Sequence, residues 1–362
     1  MKKTLLFIAL LCVFAQGAWA QTSLEEEWQE VLAMTQTTSS NWNVLHSGST
    51  TGHWFGSDGN TTYYRLGLNN NIYNFTNYQH DGSGATVHGT VYLYVPTGIT
   101  VNFIGANANE TNGAGAGIEL NEGNTLVLLG GGTINATGGN AANGSNGGNG
   151  DHSYFVYNSY CQPGSGGNGG NGGGGAGAGI GTRGGNGGTG GSGATAKRDE
   201  NEGTNKGVDG SAGNAGTTSG AMGNLYVVSS TVNLNASGGA AGSGGSGGAR
   251  GYNAAEDPYN HYDASGGGGG GAGGFGGAAN NIGTGGPGGG GGGGGAAGNS
   301  TWRANATNGF YRVGAGGGNG GYNGDGTQAA NGTTSTLTNP YDAEYKEGLS
   351  GNYDSQCRAC SR

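Results

Sequence analysis

Charge is scarce in this chain. Asp, Glu, Lys and Arg make up 10% of its 362 residues, and no lysine occurs between Lys3 and Lys197. The balance is acidic, with a formal net charge of −9 at pH 7. Scattered basic residues on an acidic chain exclude a nucleic-acid surface, which needs a clustered cationic patch. Proline is nearly missing, at 5 residues. That excludes a collagen triple helix despite the abundant glycine. The six histidines, His46, His53, His80, His88, His152 and His261, never fall at H-x-x-x-H spacing. No metal and no cofactor are therefore expected. Strings of the form G-x-G-x-x-G are unavoidable among 92 glycines, and none runs into Lys-Ser or Lys-Thr. A phosphate-binding loop is excluded on that ground.

Long hydrophobic runs are also absent after the first 20 residues. A bilayer span takes about 20 consecutive apolar residues, so no membrane span is expected. Residues 1–20 read as a secretory leader: Lys2 and Lys3, an apolar stretch over 5–14, and Ala18-Trp19-Ala20 before Gln21. The mature chain is expected to be secreted or held at the cell surface. Three cysteines remain in it, Cys161, Cys357 and Cys360. Export favours a disulfide, and an odd count leaves one thiol free or intermolecular. The C-terminal C-x-x-C leaves metal binding and redox chemistry as alternatives.

What the chain has in excess is glycine. Residues 105–335 hold 80 of the 92. From Gly166 they recur at every third position, as GGN GGN GGG GAG, and the beat returns from Gly207 and from Gly239. A period of three is neither helical nor strand-like. It is the period of an extended left-handed helix with three residues per turn and no internal hydrogen bonds. The amides of such legs must find partners on neighbouring legs. Glycine at the contact edge lets those neighbours approach. Valine at Gly169, Gly172 and Gly187 should unfold the region, whereas Asn168 and Asn171 read as exchangeable with serine.

Three other features frame the glycine. Ser23 and Glu26 have capping-box spacing, and Leu24, Trp28, Val31 and Leu32 fall on one helical face. The acids Glu25, Glu26, Glu27 and Glu30 read as a solvated face at the positive end of that helix. Residues 41–104 carry short β-type runs, with Val91, Leu93 and Val95 alternating against Tyr92 and Tyr94. Residues 123–139, GNTLVLLGGGTINATGG, are echoed 100 residues later by GNLYVVSSTVNLNASGG, and GAGAGI occurs at Gly113 and again at Gly175. Such duplication implies stacked modules.

These readings divide the chain into the leader 1–20, a helix and β-rich cap over 21–104, a tandem-repeat region over 105–335 and a tail over 336–362. The modules of the repeat region run over about 113–222 and 223–335. The fold class is mainly β and extended: repetitive parallel β-helix-like strands, packed polyglycine II-type legs and a short N-terminal helix. The tracts 164–193 and 266–298 are expected to form ordered legs beside the strands over 124–129 and 224–228, with disorder as the alternative for the second.

Residues 95–104 and 122–134 resemble the parallel β-helix repeats of secreted Bacteroidetes and Firmicutes surface proteins. The triplet modules resemble glycine-rich repeats of bacterial surface proteins. More distantly they are similar to the polyglycine-helix bundles of phage tail-tip adhesins, springtail antifreeze proteins and anaplastic lymphoma kinase receptors. These likenesses imply architecture and not a shared activity.

Catalytic chemistry finds little support. Glu119 and Glu122 are the nearest acids in the first module, with Ser219 and Met222 at the corresponding places of the second. Both glutamates read as solvated turn residues, and nothing in the sequence fixes a carboxylate pair at the separation glycosidases need. Two aromatic inserts are the candidate ligand-binding elements: Tyr154, Phe155, Tyr157 and Tyr160, then Tyr252, Tyr259 and Tyr262. Tyrosines on loops can stack on sugar rings while their hydroxyls bond polar groups. They can equally cap glycine legs that have no side chains of their own. The expected function is a non-enzymatic surface or matrix protein with a structural or adhesive role, and with glycans or other surface proteins as partners. The alternatives are a carbohydrate-binding module acting through the inserts and a polysaccharide-active β-helix enzyme.

Overall fold

A computed structural model describes residues 23–48, 51–76, 81–151, 154–156, 160–162, 165–195, 204–205, 210–228, 232–248, 276–295, 299–301, 312–313, 319–323 and 325–331. The leader, the tail, Tyr157, Tyr252, Tyr259, Tyr262, Cys357 and Cys360 lie outside the described residues.

The chain enters through helix α1 (Leu24–Thr35) and is thereafter mainly parallel β-sheet. The capping box forms as its spacing implies. The Glu26 amide donates to Ser23 Oγ at 3.3 Å, and the Ser23 amide donates to Glu26 Oε2 at 2.9 Å. Glu27 departs from the expected solvated face and is buried. Its Oε1 accepts the Gly131 amide at 2.6 Å and its Oε2 accepts the Thr97 amide at 3.2 Å. One carboxylate thus ties the helix to two turns, because turn amides without a strand partner need an acceptor.

The first eight strands are β1 (Trp42–Leu45), β2 (His53–Leu66), β3 (Ile72–Thr76), β4 (Ala85–Tyr94), β5 (Thr100–Ile104), β6 (Ile118–Glu119), β7 (Thr125–Leu129) and β8 (Thr133–Thr137). Those that follow are β9 (Tyr154–Val156), β10 (Tyr160–Gln162), β11 (Ile180–Gly181), β12 (Thr204–Asn205), β13 (Asn224–Val227), β14 (Asn233–Ser237), β15 (Ile282–Gly283), β16 (Asn299–Thr301) and β17 (Arg312–Val313). One parallel sheet runs β1-β2-β4, continues through β6, β11 and β15 from the first half of β4, and through β7 and β13 from its second half. A second parallel sheet runs β3-β5-β8-β14. From β2 to β8 the chain alternates between the two sheets, with β6 and β7 sharing one visit to the first, so strands of successive circuits lie side by side.

The alternation of β4 explains the packing. Val87, Val91 and Leu93 point inward, where they meet Phe55, Phe75, Phe103, Leu126 and Ile134 of both sheets. Tyr92 and Tyr94 point outward beneath α1, with Trp28, Val31, Trp42 and Leu129. The rings of Trp28 and Trp42 sit 5.2 Å apart, and the Arg65 guanidinium lies 4.7 Å over Trp28. On the outer face of the second sheet, Asn74, Asn102, Asn135 and Asn235 stack in one column. Each carboxamide oxygen accepts from the NH₂ of the next, at 2.7, 2.7 and 2.9 Å. Three of the four open N-x-S/T sequons.

The tandem repeat is realised with a one-residue slip. In the second sheet β14 pairs β8 at the expected offset of 100, with Thr133 opposite Asn233. In the first sheet the offset is 99, with Leu126 opposite Leu225 and Val127 opposite Tyr226. Side chains alternate with period two, so an offset of 100 would bring Tyr226 beside Leu126 in the core and turn Leu225 outward. The slip keeps Leu225 against the core.

Beyond the strands, the glycine segments bond to one another at every third residue. Gly169, Gly172 and Gly175 donate to the carbonyls of Gly191, Gly188 and Gly185. Gly185, Gly188 and Gly191 donate in turn to Gly286, Gly289 and Gly292. In 288–295 every amide has a partner, and the partners rotate. Gly289, Gly292 and Gly295 donate to Gly173, Gly170 and Gly167. Gly288, Gly291 and Gly294 donate to Thr217, Asn214 and Ser211. Gly290 and Gly293 donate to Tyr322 and Asn319. All eight bonds measure 2.7–2.9 Å. These segments bond mainly to each other and join the first sheet at β6, β11 and β15. Among the described residues none of these bonds runs to β7 or β13, beside which the sequence suggests the tracts pack.

The asparagines of the triplets have a defined task. Asn171 Oδ1 and Asn168 Oδ1 accept the amides of Gly190 and Gly193, each at 2.9 Å. Asn140, Asn143 and Asn146 do the same for Ala240, Ser243 and Ser246. A carboxamide oxygen therefore supplies the acceptor for amides that bond no backbone carbonyl among the described residues. Ser211 Oγ does this for Ser192 at 2.7 Å, so the role is shared by short polar side chains but is not passive.

Candidate ligand site

The two copies of GAGAGI stack in register, with Ile118 of β6 beside Ile180 of β11. Both isoleucines enter the core. The next residue must then face outward, and here the copies differ. The first continues with Glu119, the second with Gly181, Thr182 and Arg183. Register puts Glu119 between Thr86 and Gly181. Arg183, two residues beyond Gly181, reaches back to Glu119.

Glu119 is buried, at 3% exposure, against the solvated position expected from the sequence; Glu122 is exposed as expected. Arg183 Nε donates to Glu119 Oε1 at 3.1 Å, and Asn121 Nδ2 donates to the same oxygen at 2.7 Å. Ser83 Oγ donates to Oε2 at 3.0 Å. Asp81 stands beside this group. Its two oxygens accept the Ser83 amide at 2.9 Å and Thr86 Oγ1 at 2.6 Å. Burial pushes the Glu119 carboxyl above its usual range and Asp81 adds to the shift, while Arg183, Asn121 and Ser83 pull it down; the net direction is upward. Around the group opens a polar cavity of about 540 Å³, where the β-sheets meet the glycine legs. Asn107, Asn109, Asn186 and Gly220 are among its lining residues. Ser219, the counterpart of Glu119, lies there too, and its hydroxyl donates to the Gly285 carbonyl at 2.6 Å.

A raised folded-state value fixes the sign of the pH dependence. The stability that Glu119 contributes by taking up a proton is complete below the ordinary glutamate value of 4.5 and is lost as pH rises through the higher folded value. Relative to Glu119→Gln, the wild-type chain should therefore gain stability on acidification from neutral pH towards 4.5. Urea unfolding of both chains across that range checks this; a difference that is flat or runs the other way contradicts it.

The sequence-predicted inserts are placed only in part. Tyr154 and Phe155 lie on β9 and Tyr160 on its antiparallel partner β10, with Cys161 opposite Phe155. Among the described residues no group of three or more His, Cys, Asp or Glu side chains could hold a metal ion, and no helix is long and apolar enough to cross a membrane. Sequence reasoning missed Arg183 and Asp81 as members of one site with Glu119. The signal was the repeated GAGAGI: stacking its copies sets residue 119 beside 181 and two residues from 183. Comparison with protein-family models, curated proteins and solved structures returns no match.

Proposed function

We propose that the mature chain is an exported structural and adhesive protein of the cell surface or extracellular matrix, and that it performs no catalysis. Its two parallel sheets form a β-helix-like stack, and the segments bonded at every third residue are polyglycine II-type legs bundled against it. The carrying observation is the state of Glu119. It is 3% exposed, its Oε1 is taken by Arg183 and Asn121, and its Oε2 is bonded to Ser83. A general acid or base must instead direct an oxygen at the reacting atom. Here the carboxylate braces the junction between stack and legs. The rotating partners of 288–295 suit the same role, because every amide of that leg holds a neighbour in place.

The test is direct. The mature chain, incubated with a panel of plant, microbial and host polysaccharides, should release no new reducing ends or unsaturated products. Turnover at an ordinary enzymatic rate of about 1 s⁻¹ or more sinks this reading. A second reading, glycan contact through the first aromatic insert, is favoured by the β9–β10 pairing, which places Tyr154, Phe155 and Tyr160 on one hairpin.

A further inference from the structure

The cavity beside Glu119 is larger than a brace requires, and its wall has a definite hydrogen-bonding character. Arg183 is half-exposed and engages Glu119 through Nε alone. Its two terminal nitrogens have no hydrogen-bond partner among the described residues, and the buried carboxylate holds the guanidinium plane still. Asn107, Asn109 and Asn186 have their carbonyl oxygens occupied by backbone amides: those of Asn140 at 2.9 Å, Thr111 and Asn112 at 2.9 and 2.7 Å, and Gly113 at 3.1 Å. The NH₂ ends are the halves these side chains have left to offer. Acceptors come from Asp81, each of whose oxygens receives one hydrogen bond and can accept another.

We propose that this cavity binds a short neutral oligosaccharide. The inference rests on the protein being a binder and not a catalyst, and it names what is bound. A carboxylate, sulfate or phosphate offers only acceptors and would meet Asp81 and Glu119 against the single charge of Arg183. An ammonium group offers only donors and would leave Arg183 and the carboxamide NH₂ groups without an acceptor. A sugar hydroxyl both donates and accepts, and so satisfies a wall that mixes fixed donors with a carboxylate. The volume of about 540 Å³ falls within the range of about 300–1,000 Å³ typical of small-molecule sites. Among the described residues no aromatic ring lines the cavity, so hydrogen bonds and not stacking would set the specificity.

Gly220 gives a clean test, because truncating Arg183 also breaks the brace. Gly220 lines the cavity, is exposed, and a Cβ there meets no atom within 4 Å, so Gly220→Trp adds a bulky side chain at the cavity wall with no backbone clash at its Cβ. The probes are cello-, manno- and chito-oligosaccharides, with oligogalacturonate and spermidine as charged controls, titrated into the full mature chain by calorimetry and ligand-observed NMR. At least one neutral probe should bind, at least about tenfold more weakly to Gly220→Trp than to wild type, with an unchanged melting temperature. No neutral binding, equal binding to both chains, or binding confined to a charged control overturns the site. Binding together with cleavage of the same oligosaccharide keeps the site and sinks the non-catalytic reading. Neither binding nor cleavage leaves the scaffold reading standing and removes the site.

Discussion

Alanine at Gly169 and Gly172 together is expected to collapse the glycine legs. The added Cβ at Gly169 would fall on the carbonyl of Gly292, and that at Gly172 on the carbonyl of Gly289. Both obstacles are backbone, and neither can rotate away as a side chain can. Their own segment is fixed in turn from other sides, since Gly288 and Gly291 donate to Thr217 and Asn214, and Gly290 and Gly293 to Tyr322 and Asn319. Overpacking a yielding core costs about 1–3 kcal/mol. Against unyielding backbone each substitution should cost about 3 kcal/mol or more. Gly220→Ala is the matched control, because the space around it is open. It should change stability by no more than about 0.5 kcal/mol. Urea unfolding and limited proteolysis of the two variants make the comparison. Equal stability would mean that the legs are not in contact.

The second large effect belongs to the β-stack. Phe103→Ala should cost about 3–5 kcal/mol, the usual range for a large aromatic removed from a packed core. Phe103 has no exposed surface. Its ring stacks on Phe75 at 5.2 Å and meets Phe55 edge-on at 6.1 Å. It therefore joins the two sheets, and no small neighbour can fill the space it leaves. Phe103→Leu, which keeps most of the volume, should cost clearly less. Denaturation midpoints of the two variants decide the matter, and a loss below about 1 kcal/mol for the alanine variant would show a core able to close around the gap.

Local signals in the sequence carried a good part of the fold. The capping box at Ser23 and Glu26 is a contact between residues three apart, and it forms. The alternation over 91–95 sorted Val91 and Leu93 from Tyr92 and Tyr94, because a strand between two cores must present a different side chain to each. The glycine triplet told that amides would seek partners at every third residue. What the sequence hid lies in long-range register. Glu27 looked solvated beside its acidic neighbours, because the amides it accepts, Thr97 and Gly131, are brought to it only by the turns of two later circuits. The offset of 99 in the first sheet against 100 in the second depends on which way Leu225 faces, which a gapless alignment does not weigh. Glu119 and Arg183 are 64 residues apart. Nothing local links them, although the shared GAGAGI prefix did hold the information once the copies were stacked.

The most direct test of the leg architecture is amide hydrogen exchange across residues 288–295. Each of those eight amides donates to one of three neighbouring legs in rotation. With every amide bonded, exchange should require opening of the bundle and should be slowed throughout the tract, with no third residue left fast. If the tract instead exchanges at the rate of an unstructured glycine peptide, or if every third amide is unprotected, the three-neighbour packing is contradicted.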